Sequence, residues 1–143
     1  MAVDSCGTGS WHIGQGADRR SIQVAEEAGY ALKDHRVRQL VSDDFSRFDA
    51  ILAMDDDNLA VLRERCLPGY EDRLNLFLDA AVFDDDDKRQ SPVVPDPYHE
   101  DLDAFRAVRQ MAERGVDGLI ARLRQGDSLG SGRAQAAKRS WTR

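Results

Sequence analysis

Cysteine is scarce in this chain. Its 143 residues hold two, Cys6 and Cys66, too few for a disulfide scaffold and at no metal-ligand spacing, so two reduced thiols are expected. No uncharged apolar run nears the roughly 20 residues that cross a bilayer, and Met1 to Ser5 lacks the basic-then-apolar pattern of a signal peptide. These absences predict a cytoplasmic protein with no membrane partner. Positive charge is in deficit: 20 Lys and Arg against 26 Asp and Glu leave −6, which argues against nucleic acid as a partner for the surface as a whole. His12, His35 and His99 lack zinc-type spacing, and neither G-x-G-x-x-G nor G-x-x-x-x-G-K-[ST] occurs, so no metal or nucleotide cofactor is expected. Asp55 to Asn58 fails the calcium-loop pattern at Leu59 and Ala60 and reads better as a helix cap.

What is present, 41% hydrophobic and 32% charged residues, fits one soluble globular domain. Ala2 to Ser5 reads as a short strand running into a glycine-rich loop, Gly7 to Gly16. Ile22, Ala25 and Ala28 recur at helical spacing, with Asp18 to cap the start and Gly29 to end it. Ser42 to Phe45 signals a brief helical turn. Phe48 to Met54 is an apolar run suited to a buried parallel strand. A helix from Asp55 carries Leu59, Leu62 and Cys66 on one face and stops at Pro68-Gly69. Leu74 to Leu78 predicts another strand, Asp84 to Gln90 a charged loop, and Val93 to Tyr98 a loop fixed by prolines. The longest helix spans about Asp101 to Leu123, with Leu102, Phe105, Val108, Ala112, Val116, Leu119 and Leu123 as its stripe and Gly115 and Gly118 as interruptions. A single domain over residues 1–125 is therefore expected, followed by a flexible basic tail over 126–143 carrying Arg133, Lys138, Arg139, Trp141 and Arg143. Strands alternating with helices predict an α/β domain with a mainly parallel sheet and a ligand site at the strands' carboxyl ends.

Four stretches, in order, resemble the low-molecular-weight protein tyrosine phosphatases: Val3 to His12, His35 to Gln39, Phe48 to Asp55 with Asn58-Leu59, and Val94-Pro-Asp-Pro-Tyr98. The resemblance implies a doubly wound parallel sheet with helices on both faces, no metal and no organic cofactor. The substrate it implies is a phosphotyrosine protein or a small aryl phosphate. In this chemistry a cysteine thiolate at a helix N-terminus attacks phosphorus while backbone N–H groups and an arginine hold the phosphoryl oxygens. An acid on another loop protonates the leaving phenolate and later serves as base for water. The resemblance places that acid at Asp96, where Pro97 has no N–H to offer its carboxylate. It makes Trp11 and Tyr98 the walls of the aromatic slot and Ser5 a support of the phosphate loop. His99 stands where many relatives carry a second tyrosine, and Glu100-Asp101 replaces their glycines.

The nucleophile loop itself, C-x5-R, is absent from the 143 residues: Cys6 is followed by His12 at the required position and Cys66 by Asp72. Cys6 stands where relatives carry a small residue and is expected to be a buried, inert thiol. Relative to the family, the fold would lack its first, central strand and first helix, a piece of about 30 residues or more. Three explanations compete, a misplaced start at Met1, a decayed gene, or a chain that borrows a strand, and the first is favoured. The expectation is a family member inactive as this chain. The alternatives are a non-catalytic pseudophosphatase that binds phosphoproteins and, ranked lower, an arsenate-reductase relative whose redox cysteines Cys6 and Cys66 do not reproduce.

Overall fold

The computed structural model describes residues 1–81 and 93–130. They fall into two compact units, one of Met1–Val41 with Asp96–Met111, the other of Ser42–Pro95 with the described part of Ala112–Arg143.

The second unit holds the sheet. Strand β1 (Ile51–Ala53) pairs in parallel with β2 (Leu74–Leu76), Ile51 opposite Leu74 and Ala53 opposite Leu76. Parallel strands need a crossover, and here it carries the helix expected from Asp55. In chain order α1 is Arg19–Glu27, α2 is Asp43–Arg47 and α3 is Asp56–Arg65. Helix α3 packs on both strands through buried Leu59 and Leu62. Its start is fixed by Asp55, whose carboxylate accepts the Asn58 N–H at 2.7 Å, and acids in its first turn with arginines in its last suit the helix dipole. Gly69, at φ +92°, makes the turn that follows.

Both strands are shorter than expected. The Phe48 N–H goes back to Asp44 O and the Phe48 carbonyl to the Arg73 guanidinium, so the ladder starts only at Ile51. Arg73 Nη1 also reaches the Phe45 and Ser46 carbonyls and so closes the C-terminal end of α2. Downstream, the predicted strand from Leu74 to Leu78 is corrected. Asn75 Oδ1 accepts the Leu76 N–H at 2.9 Å, the ladder ends, and Phe77–Ala81 turns into helix α4. A helical turn buries Phe77, Leu78, Ala80 and Ala81 together, whereas a strand would send alternate side chains to opposite faces.

Helix α5 (Leu102–Arg124) begins at Asp101, whose side chain accepts the Ala104 N–H at 3.0 Å. It runs unbroken through Gly115 and Gly118. Gly115 lies so close to the Phe77 ring that a Cβ there would overlap it. The predicted stripe is therefore corrected in this half: Gly115 and Gly118 are buried while Val116 and Leu123 are exposed. One step along a helix rotates a side chain by about 100°, so choosing Gly115 for contact turns Val116 away. Arg122, further along the buried side, donates Nη1 to the Ala80 carbonyl. Gly126, at φ +80°, ends the helix. Beyond it Leu129 O accepts from Asn75 Nδ2 at 3.1 Å, and Gly130 packs against the Asp72 backbone. The predicted acidic loop Asp84 to Gln90 and the basic residues beyond Gly130 lie outside the described residues.

In the first unit, α1 matches its prediction. Asp18 caps it by accepting the Arg20 N–H at 2.8 Å, Val24 is its buried contact, and Gly29 leaves it at φ +85°. The predicted strand Ala2 to Ser5 does not form. A strand needs a neighbour, and the first residue to find one is Gly7, in a lone parallel bridge to Gln39. The Ser5 N–H turns instead to Asp4 Oδ1 at 2.8 Å. The architecture is α/β, with a small parallel sheet flanked by helices, as expected.

Candidate functional site

The four residues singled out by sequence, Ser5, Trp11, Asp96 and Tyr98, fall in the same unit, Met1–Val41 with Asp96–Met111. Asp96 sits in an exposed loop between Pro95 and Pro97. The two residues before it belong to the sheet unit, where the Val94 N–H donates to Met54 O, just after β1, at 2.8 Å. After it, the Glu100 N–H donates to Pro97 O at 2.8 Å, and Asp101 begins α5. The loop is thus short, proline-stiffened and held on both sides.

Pro97 has no N–H to offer Asp96, and the donor is the next residue, the Tyr98 N–H reaching Asp96 Oδ1 at 3.0 Å, an Asx turn of the kind Asp-Pro sequences favour. Tyr98 itself is 57% exposed, its ring edge-on to His99 with centroids 4.9 Å apart. Asp96, Pro97 and Tyr98 form one rim of a cleft of about 330 Å³ whose apolar floor includes Val24, Leu32 and Phe105. Two of the four predicted residues, Asp96 and Tyr98, meet at this rim.

Trp11 and Ser5 do not line that cleft. Trp11 is 76% exposed, and its indole lies over Gly9, where a Cβ would overlap it. Ser5 is exposed in the N-terminal segment, which forms no strand. Cys6, expected to be buried, is exposed, because that segment forms no sheet to cover it. Cys66 is partly buried at the end of α3, its Sγ donating to Leu67 O at 3.4 Å. Burial, with a smaller push from Glu71, raises its thiol above the ordinary range, the reverse of what activates a cysteine nucleophile.

Arg20 was missed by sequence reasoning. Its Nη2 donates to Tyr98 O at 2.8 Å and its Nη1 to Glu100 O at 3.1 Å. Its Nε and Nη2 pair with both oxygens of Asp18. The side-chain hydrogen bond from Arg20 holds the Asp18 carboxyl below the usual carboxylate range, against the opposing effect of burial. Asp18 was read correctly as a cap; the available signal was the arginine two places later, able to bind the same carboxylate.

A family model described as low molecular weight phosphotyrosine protein phosphatase matches residues 1–129. The low molecular weight protein-tyrosine-phosphatase of Streptomyces coelicolor is 40% identical over 129 residues, covering 87% of this chain and 74% of that protein. The low molecular weight phosphotyrosine protein phosphatase of Schizosaccharomyces pombe is 37% identical, covering 72% of this chain and 62% of its own. Among solved structures, a protein tyrosine phosphatase of Entamoeba histolytica with Hepes in its active site superposes with a TM-score of 0.77 at 36% identity, over 86% of this chain and 75% of that one. The chain therefore spans about three-fifths to three-quarters of the relatives it matches. Family model, sequence identity and superposed fold agree that this chain, whose 143 residues contain no C-x5-R, belongs to the low molecular weight phosphotyrosine protein phosphatase family.

Proposed function

We propose that these 143 residues carry the acid loop and aromatic walls of a phosphotyrosine phosphatase and do not supply its nucleophile. Asp96 is the general acid. When a thiolate attacks phosphorus and the P–O bond to the aryl group breaks, Asp96 gives its proton to the departing phenolate oxygen. When water then attacks the phosphocysteine, Asp96 takes the water's proton as the P–S bond breaks and the thiolate returns. Trp11 and Tyr98 are the walls for the aryl ring, Ser5 supports the phosphate loop, and the substrate class is a phosphotyrosine protein or small aryl phosphate. The observation that carries this reading is the loop of Asp96, proline-stiffened, exposed and fastened beside Tyr98 at the rim of an apolar cleft.

The lack of C-x5-R makes the purified 143-residue chain catalytically silent. It gives no turnover of 4-nitrophenyl phosphate above a protein-free blank; sustained turnover that Asp96→Ala abolishes would sink this reading. Intact mass of the protein from its native cells locates the missing group. A mass above 16.0 kDa, with peptides carrying C-x5-R, puts nucleophile and acid in one molecule, and a mass matching this chain does not. Saturable heat on titration with phosphotyrosine, with no turnover, assigns the chain to non-catalytic phosphoprotein recognition. The proposed location is the cytoplasm, supported by the observation that no helix among the described residues is long and apolar enough to cross a membrane.

A further inference from the structure

Arg20 connects the cap of α1 to the loop of Asp96. Asp18 fixes the guanidinium from one side: its Oδ1 accepts from Arg20 Nε at 3.1 Å and its Oδ2 from Nη2 at 3.0 Å. The same carboxylate caps α1 through the Arg20 N–H at 2.8 Å. A two-point pair of this kind sets the plane of the fork as well as its position. The other side of the fork meets the loop, with Nη2 on the Tyr98 carbonyl and Nη1 on the Glu100 carbonyl at 2.8 and 3.1 Å. Two aromatic rings lie near the guanidinium, Phe105 at 4.4 Å and Tyr98 at 5.7 Å from its carbon to the ring centroids. Side chain, fork and rings together leave the cation little freedom.

The connection reaches Asp96 through one residue. Asp96 Oδ1 accepts the Tyr98 N–H, and the carbonyl of that same Tyr98 accepts from Arg20. Fixing the carbonyl limits how the Tyr98 main chain can turn, and with it the donor that orients the Asp96 carboxylate. We propose that Arg20 is a positioning residue for the acid: anchored by Asp18, it holds Tyr98 and Glu100 so that the Asp96 carboxylate keeps one orientation beside the aryl wall. This rests on the reading of Asp96 as the general acid. Arg20 touches neither substrate nor the transferred proton and acts through Tyr98. A lysine, with a compact ammonium in place of the planar fork, cannot span Asp18 and both carbonyls.

The test is amide hydrogen exchange of the full chain, read residue by residue by NMR. In the parent protein the Tyr98 amide is held by the Asp96 carboxylate, and Asp96→Ala speeds its exchange with solvent. In Arg20→Gln, exchange of the Tyr98 and Glu100 amides speeds about tenfold relative to the amides of α1, the scale for losing charge-assisted hydrogen bonds. Arg20→Lys restores part of the protection. Unchanged relative protection of Tyr98 and Glu100 in Arg20→Gln, with stability alone reduced, overturns the proposal and leaves Arg20 a structural cation. Should Arg20→Gln fail to fold, Asp18→Asn weakens the anchor while Arg20 stays, and the same loss of protection is expected. Failure of Asp96 as the acid is read separately, as turnover indifferent to Asp96→Ala once C-x5-R peptides are found in the native protein, and it leaves the Tyr98 protection as it was.

Discussion

Eleven of the fourteen apolar residues buried among those described lie in the sheet unit, whereas the unit carrying Ser5, Trp11, Asp96 and Tyr98 buries Val24, Leu40 and Phe105. In the sheet unit Arg73 and Arg122 donate to main-chain carbonyls and fasten backbone that the core has already placed, Arg122 pairing with Asp127 as well. In the other unit Arg20 donates to the Tyr98 and Glu100 carbonyls, and Arg20 pairs with Asp18, Arg38 with Asp4, and Arg106, on α5, with Glu27 at the end of α1. Such part-exposed pairs contribute little each. The residues proposed for chemistry thus lie in the unit with fewer buried apolar residues, where polar tethers reach the loop of Asp96 and Tyr98. A loop that must present an acid needs a fixed direction more than a deep core, and tethers supply direction.

Core truncation gives the widest separation between the units. Phe45, 1% exposed in the sheet unit, when cut to alanine should lose about 3–5 kcal/mol in urea unfolding followed by circular dichroism. Val24, 2% exposed in the other unit, loses two methyl groups and its cost should be about 2 kcal/mol. Equal losses at the two positions would break the comparison. A sharper probe is Gly115→Ala. In an ordinary helix interior that change stabilises by about 1 kcal/mol, but here the new Cβ overlaps the Phe77 ring. Net destabilisation of about 1–2 kcal/mol is expected from overpacking, read as a lower urea midpoint; a raised midpoint would mean that α5 is free to move off the core.

The elements legible in the sequence were those with local signals. Asp18, Asp55 and Gly29 mark helix ends through bonds and backbone angles that reach only a few residues, and they stood where expected. Order and spacing of the four matching stretches carried the family. The misreadings share one cause, that partners distant in sequence decided them. Ala2 to Ser5 has strand composition and joins no strand ladder among the described residues. Leu74 to Leu78 alternates no better as a strand than as a turn of helix, and burial of Phe77 beside Leu78 chose the helix. Gly115 reads as an interruption of the apolar stripe until Phe77 is known to lie against it. At the candidate site, Asp96 and Tyr98 were named by the resemblance, through the one short stretch Val94-Pro-Asp-Pro-Tyr98 that holds both. Arg20 was not, since its acceptors at Tyr98 and Glu100 lie nearly eighty positions away.

Acid gives the smallest expected effect and the most selective one. The Arg20 guanidinium holds the Asp18 carboxyl below the ordinary range, and the Arg106 guanidinium does the same for Glu27. A carboxylate whose folded pKa lies below its unfolded value, about 3.9 for Asp and 4.3 for Glu, stabilises the fold fully above the unfolded value. That contribution is lost as pH falls through the folded value, because the unfolded chain then binds more protons. Protection of the α1 amides from hydrogen exchange, corrected for intrinsic rate, should therefore fall between about pH 5 and pH 3. The ladder amides of β1 and β2, within a unit held mainly by apolar burial, should change less over the same range. Raising salt at pH 6 should act in the same direction on α1 and more faintly, since screening reaches part-exposed pairs before it reaches a core. Parallel loss of protection in both units would show that the tethers and the core share a single opening, and the division drawn between them would then describe the architecture without describing its stability.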